Sequence, residues 1–165
     1  MQVPMTHDLM DSAVYLSGLV ARGFSRALQQ RAAVLGITPG QLPILMSLWN
    51  SDGITQRELV ASLEIEQATI ANTLSRMERD GLVERRPHPK DKRAQLLFLT
   101  EKARALEEDA VSALQAADDA IFSGFKRFER ELMLEYMRWA IENARKLESG
   151  GAPDGKIAGM RQIPV

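Results

Sequence analysis

Apolar residues recur at helical spacing over most of this chain, and one stretch near the middle changes period. From Asp8 to Leu35, the residues Val14, Leu16, Leu19, Val20, Phe24, Leu28 and Leu35 form a broad apolar face, which predicts one long helix stopped by Gly36. Thr38-Pro39-Gly40-Gln41 opens a second helix, with Pro39 suited to its first position. That helix carries Leu42, Ile44, Leu45, Leu48 and Trp49 and ends before Ser51-Asp52-Gly53. Thr55-Gln56-Arg57-Glu58 is a capping box, in which the Thr55 hydroxyl and the Glu58 carboxylate satisfy each other's backbone amides. The short helix it starts carries Leu59, Val60 and Leu63 and stops near Glu64; a fourth runs from near Glu66 to Asp80, with Ile70, Leu74 and Met77 as its buried stripe. Gly81 ends it in the manner of a C-terminal glycine.

The period then shifts. Leu82–Arg86 and Leu96–Thr100 are predicted to be paired strands, and prolines at 87 and 89 make the run between them a loop. Thr100 caps a further long helix from Glu101 to about Ser123, Gly124 breaks it, and a last helix reaches about Glu148 with Leu132, Leu134, Met137, Trp139, Ile141 and Leu147. The glycine-rich segment from Ser149 is expected to be a flexible tail. The fold class is therefore mainly α: a winged helix-turn-helix with a small β-hairpin wing over 36–100, flanked by a dimerisation helix over 1–35 and dimerisation helices over 101–148.

The fourth helix carries the chemistry. Opposite its apolar stripe lie Ala68, Asn72, Ser75 and Arg79, flanked by Thr69 and Arg76, with Gln67 in the first turn. Thr, Asn and Ser are mediocre helix formers, an odd choice for a purely solvated face. They suit a helix that must approach base edges and phosphates closely. The wing follows at once. Between Arg85 and Arg93 there are five basic residues and one acid, in a chain of 165 residues whose net charge is −1. A focused basic patch on a near-neutral protein points to local contact with DNA, and a cationic hairpin tip suits the minor groove. Thr55 and Gln56 at the start of the third helix, and Arg85, Lys90, Asp91, Lys92 and Arg93 in the wing, complete the candidate interface.

Composition removes other chemistries. The chain has no cysteine, which excludes disulfides, thiolate metal sites and a cysteine redox switch. With only His7 and His88, a histidine metal site is not expected, nor is any cofactor. No nucleophile–base pair, phosphate-cradling loop or paired-carboxylate motif argues for an enzyme; Glu107-Glu108-Asp109 and Asp118-Asp119 are solvated helix faces. No apolar run is long enough to span a bilayer, and MQVPMTHDLM lacks the basic and apolar regions of a signal peptide, so a cytoplasmic location is expected.

Gly81-Leu82-Val83-Glu84-Arg85, then Pro89-Lys90-Asp91-Lys92-Arg93-Ala94, then Leu97-Phe98-Leu99-Thr100-Glu101-Lys102-Ala103 resembles the helix end, wing and strand-to-helix junction of the MarR family of winged helix-turn-helix regulators. ITPGQLPIL and TQRELVASL are similar to that family's second and third helices, and the resemblance covers about residues 8–148. It implies a helical homodimer that binds double-stranded DNA, acts mainly as a repressor and is released by a small molecule. The DNA contacts it implies are Gln67, Thr69, Asn72, Thr73 and Arg76 on the recognition helix and Asp91 and Arg93 in the wing, with Asp91 orienting Arg93 through a charge-assisted pair. Phe125-Lys126-Arg127 lacks the Ser or Thr cap common in the family, which leaves the start of the last helix open. A small apolar or aromatic acid is the expected effector type by resemblance, and Tyr15, Leu19, Met46 and Trp49 are candidate walls of its pocket. The competing readings are a constitutive DNA-binding regulator and a helical dimeric interaction module without effector response.

Overall fold

The computed structural model describes residues 9–91 and 93–150. Helix α1 spans Ala13–Ala32, α2 Leu42–Asn50, α3 Gln56–Leu63 and α4 Gln67–Arg79. Strands β1 (Ile54–Thr55), β2 (Val83–Pro87) and β3 (Gln95–Leu99) form an antiparallel sheet in the order β1-β3-β2. Helices α5 (Glu101–Ala105), α6 (Glu107–Ile121) and α7 (Arg127–Glu148) follow. Mainly helical with a small hairpin, the chain has the predicted winged helix-turn-helix architecture. Contacts divide it into two compact units after Ile121. Within the first unit, α1 packs along α6. Among the described residues, no helix is long and apolar enough to cross a membrane.

The core lies under the winged helix. Leu45, Leu48, Leu59, Leu74, Met77 and Leu97 are fully buried, and Ile70, Leu82 and Leu99 nearly so. The recognition helix α4 thus enters the core along the Ile70–Leu74–Met77 stripe that its sequence spacing prescribes. Gly81 closes it with φ of 69°, as Leu82 N–H donates to Met77 O (2.8 Å) and Gly81 N–H to Glu78 O (3.1 Å). These are the two bonds of a Schellman motif, with buried Leu82 and Met77 as its apolar pair.

Several boundaries differ from the sequence expectation. The first helix begins at Ala13, because the Ser12 hydroxyl accepts from Tyr15 N–H (3.3 Å) and caps it there; Asp8 lies outside the described residues, and Ala33–Leu35 tighten into a 3-10 turn before Gly36. Pro39 does not open α2. Thr38 N–H donates to Gln41 Oε1 (2.8 Å) and Gln41 N–H to Thr38 O (3.0 Å), so residues 38–41 form a turn with proline at its second position. Pro43 then sits in the first turn of the helix.

The long helix after Thr100 is interrupted at Leu106. Trp49 Nε1–H donates to Ala103 O (3.0 Å), the carbonyl that a continuous helix would offer to residue 107, and Leu106 N–H closes a tighter turn onto the same oxygen. β1 was not predicted at all. It pairs Ile54 with Leu97 and Thr55 with Leu96 across β3. At α7, Glu129 Oε2 accepts from Lys126 N–H (2.7 Å), the arm of a capping box that the third helical residue supplies, which fixes the start of the helix without a Ser or Thr. Residues 151–165 of the expected tail lie outside the described residues.

Candidate nucleic-acid interface

The third helix starts where its sequence says. Thr55 Oγ1 accepts from Glu58 N–H (3.2 Å) while Glu58 Oε2 accepts from Thr55 N–H (2.7 Å) and from the Thr55 hydroxyl (2.8 Å). The Thr55 amide bond, then the Thr55 hydroxyl, holds the Glu58 carboxyl below its ordinary pKa, with a smaller contribution from His88. The hydroxyl of Thr55 is therefore occupied by the cap. Gln56 is half-buried and its Oε1 accepts from Arg85.

Helix α4 presents Gln67, Ala68, Thr69, Asn72, Ser75, Arg76 and Arg79 to the outside, the face expected from the 100° step. Thr73 is half-buried, and its hydroxyl returns to Thr69 O (2.8 Å) as that of Ser75 does to Ala71 O (3.0 Å). These backbone bonds satisfy hydroxyls that would otherwise compete with the helix. Asn72 and Arg76 carry no intramolecular side-chain bond among the described residues, so both are free to meet a partner. The C-terminal end of α4 is fixed from outside the helix. Gln41, 4% exposed, donates from Nε2 to Asp80 Oδ2 (3.3 Å), Lys102 Nζ donates to Asp80 O (2.9 Å) and the Thr100 hydroxyl to Gly81 O (2.7 Å).

Wing cations divide by position. Strand alternation places Arg85 on the same face as Val83, opposite buried Leu97, and Arg86 on the other face. Arg86 pairs with Glu84, and its guanidinium sits 4.3 Å from the Phe98 ring centre. Lys90 and Arg93 are exposed at the tip, and Lys92 lies outside the described residues. The tip is shaped by two side chains. His88 Nδ1 accepts from Lys90 N–H (3.2 Å) and Asp91 N–H (3.0 Å), and Asp91 Oδ1 accepts from Arg93 N–H (2.9 Å). Asp91 thus orients Arg93 through a charge-assisted bond to its backbone amide. His88 was not singled out in the sequence, yet an acceptor three residues before the Asp91 amide is the pattern of a side-chain-closed turn.

A second junction lies behind the interface. Asp52 Oδ1 accepts from Gly53 N–H (3.0 Å) and Leu99 N–H (3.1 Å), and Asp52 Oδ2 pairs with Arg104. With the Trp49–Ala103 bond, it ties the end of α2 to β3 and α5. Of the four candidate effector residues, Tyr15 and Leu19 lie on α1 at 38% and 43% exposure, Met46 on α2 at 45%, and Trp49 on α2 is half-buried against the core with its indole N–H committed.

The model described as MarR family matches residues 37–94. The transcriptional regulator BilQ of Clostridium symbiosum is 31% identical over 103 residues, which span 62% of this chain and 72% of that protein. The chain belongs to the MarR family of transcriptional regulators. Among solved structures, a MarR transcriptional regulator from Methanosarcina mazei is 28% identical with a TM-score of 0.71, over 81% of this chain and 99% of its own. A MarR-family regulator from Listeria monocytogenes, solved with a 26mer DNA, shares the fold at 23% identity and a TM-score of 0.72, over 86% of this chain and 97% of its own. The regulator is thus assigned by its relatives to transcription control rather than to an enzyme family.

Proposed function

We propose that this MarR-family regulator is a homodimeric repressor that reads an inverted repeat in double-stranded DNA and is released by a small molecule. The observation that carries the reading is the outer face of α4: Gln67, Ala68, Thr69, Asn72 and Arg76 are exposed together on a helix whose opposite stripe is anchored in the core. Lys90 and Arg93 of the wing tip reach the neighbouring backbone or minor groove, with Thr73 backing the reading face. The Listeria protein of the same fold, solved with a 26mer DNA, supports DNA as the partner. Residues 36–100 form the reading domain, and 1–35 with 101–148 the dimerising region. Exposed Val14 and Leu16 on α1, Val111 on α6, and Phe128 and Ile141 on α7 support a second copy as partner. Recognition helices then enter successive major grooves about 34–36 Å apart. The site of action is the cytoplasm.

The effector, an apolar or aromatic acid, enters beside Tyr15, Leu19, Met46 and Trp49. The Trp49 and Asp52 ties to α5 support this place, because a ligand there acts where the reading domain meets the helical region. It must prefer the non-binding spacing of the two helices, since equal affinity shifts nothing. The test combines light scattering, anisotropy on a duplex selected from a randomised library, and titration of that complex with aromatic carboxylates under tryptophan fluorescence. A dimer that binds the inverted repeat and releases it on ligand addition is expected. Binding without release by any acid leaves a constitutive regulator, and no preference over random duplex overturns the reading.

A further inference from the structure

Arg85 belongs to the basic run that the sequence places on DNA, but its surroundings differ from those of Arg86, Lys90 and Arg93 there. Its Nε donates to Glu78 Oε2 (3.0 Å), near the end of α4, and its Nη1 to Gln56 Oε1 (3.3 Å), the first residue of α3. One planar guanidinium thus joins the wing strand β2, the recognition helix and the helix before it. The side chains of Arg85 and Glu78 are 26% and 33% exposed, against 73% for Arg79 on the reading face. Glu78 follows Met77 on the inward side of α4, so the acceptor is aimed at β2 and not at a groove. Arginine suits this place because its fork presents several donors in a fixed plane, whereas a lysine ammonium is a point charge on a flexible stem.

We infer that Arg85 is a positioning residue: it locks the angle between α4, α3 and the wing, and sets base discrimination without touching DNA. The inference rests on the DNA-reading role proposed above. Its physical basis is the tolerance of groove readout. A bidentate side-chain contact with a base requires a fixed helix pitch and depth, while phosphate contacts with long cations tolerate small rotations. Loosening the Arg85 strut therefore removes discrimination before it removes attraction. A carboxylate such as Glu78 would otherwise be unfavourable on a helix that lies against phosphates.

The experiment measures affinity for the library-selected duplex and for a random duplex, each across a salt series, in the full-length dimer. The strut predicts that Glu78→Gln weakens binding to the selected duplex by about tenfold, as expected when a half-buried bond to a guanidinium keeps an acceptor but loses its charge assistance. Arg85→Lys weakens it similarly. Binding to random duplex and the slope of log affinity against log salt stay at their wild-type values. Gln56→Ala, which removes only the α3 arm and leaves the core untouched, gives a smaller loss that does not add to that of Arg85→Ala.

A phosphate contact predicts the opposite on each count. Arg85→Lys retains affinity, Arg85→Ala lowers the salt slope by about one, and Glu78→Gln tightens binding by removing a negative charge; any of these overturns the inference. A fall in melting temperature with an unchanged ratio of selected to random binding also overturns it, because the pair then serves stability alone. If the wild type itself shows no preference for any duplex, the failure lies with the DNA reading and not with the strut.

Discussion

Helices α4 and α7 treat their apolar residues in opposite ways. In α4, Ile70, Leu74 and Met77 are at most 1% exposed, so its apolar stripe is satisfied within the chain and its polar face is left open. In α7, which is 22 residues long, no residue is buried, and Phe128, Ile141 and Leu147 are 60%, 49% and 60% exposed. An amphipathic helix of that length gains little by propensity alone and needs a packed face. A polar face left open by a completed core points to a polar partner, and an apolar face left open points to a second protein surface.

The sharpest way to break this comparison is to charge the open face of α7. Ile141→Lys is expected to halve the mass seen by light scattering and to lower affinity for the inverted repeat by about 10²–10⁴-fold, because binding of the second half-site ceases to be intramolecular. A dimer of unchanged affinity would mean that α7 faces something other than its own copy.

The contrast sharpens on the α4 side. Asn72→Ala is expected to cost on the order of 1–3 kcal/mol and to relax preference at one base pair, while leaving random-duplex binding alone. Arg76→Ala should weaken both duplexes alike and reduce the salt slope by about one. If the two variants behave identically in competition assays, the face is read by its charge and not by its hydrogen bonds.

Much of this arrangement is legible in the residues. The Thr55–Glu58 box, the Ile70–Leu74–Met77 stripe and Gly81 are local rules, each satisfied by near neighbours along the chain, and all three stand where expected. What escapes the sequence is set by distant groups. The break at Leu106 depends on an indole 54 residues from the carbonyl it captures. β1 is two residues long, too short for alternation to register, and exists because β3 offers it an edge. Arg85 and Arg86 are adjacent and chemically identical, and only the parity of β2 against buried Leu97 separates an inward arginine from an outward one.

Within the wing, Arg93→Ala is expected to weaken operator binding by about tenfold, while Arg161→Ala, outside the described residues, leaves it unchanged in the same anisotropy assay. Asp91→Ala should show a smaller loss, about 1 kcal/mol, because it removes the acceptor for the Arg93 amide and not the cation itself. Equal losses for Arg93 and Arg161 would take the wing tip off the DNA.

The smallest effect concerns the cap of α3. Glu58 accepts from the Thr55 amide and hydroxyl most strongly as a carboxylate, and those bonds hold its pKa below the ordinary value. A carboxyl whose folded pKa is depressed binds fewer protons folded than unfolded. Its contribution is therefore complete above the unfolded carboxylate pKa and is lost as pH falls through the lower, folded one. Glu58 is fully exposed, so the change is slight and is read best as a difference between proteins. Wild type is expected to lose more melting temperature than Glu58→Gln between neutral and acid pH, with the two curves converging at the acid end, because the amide keeps an acceptor but no titrating charge. Parallel curves over that range would show that the Thr55 cap holds α3 without help from the charge of Glu58.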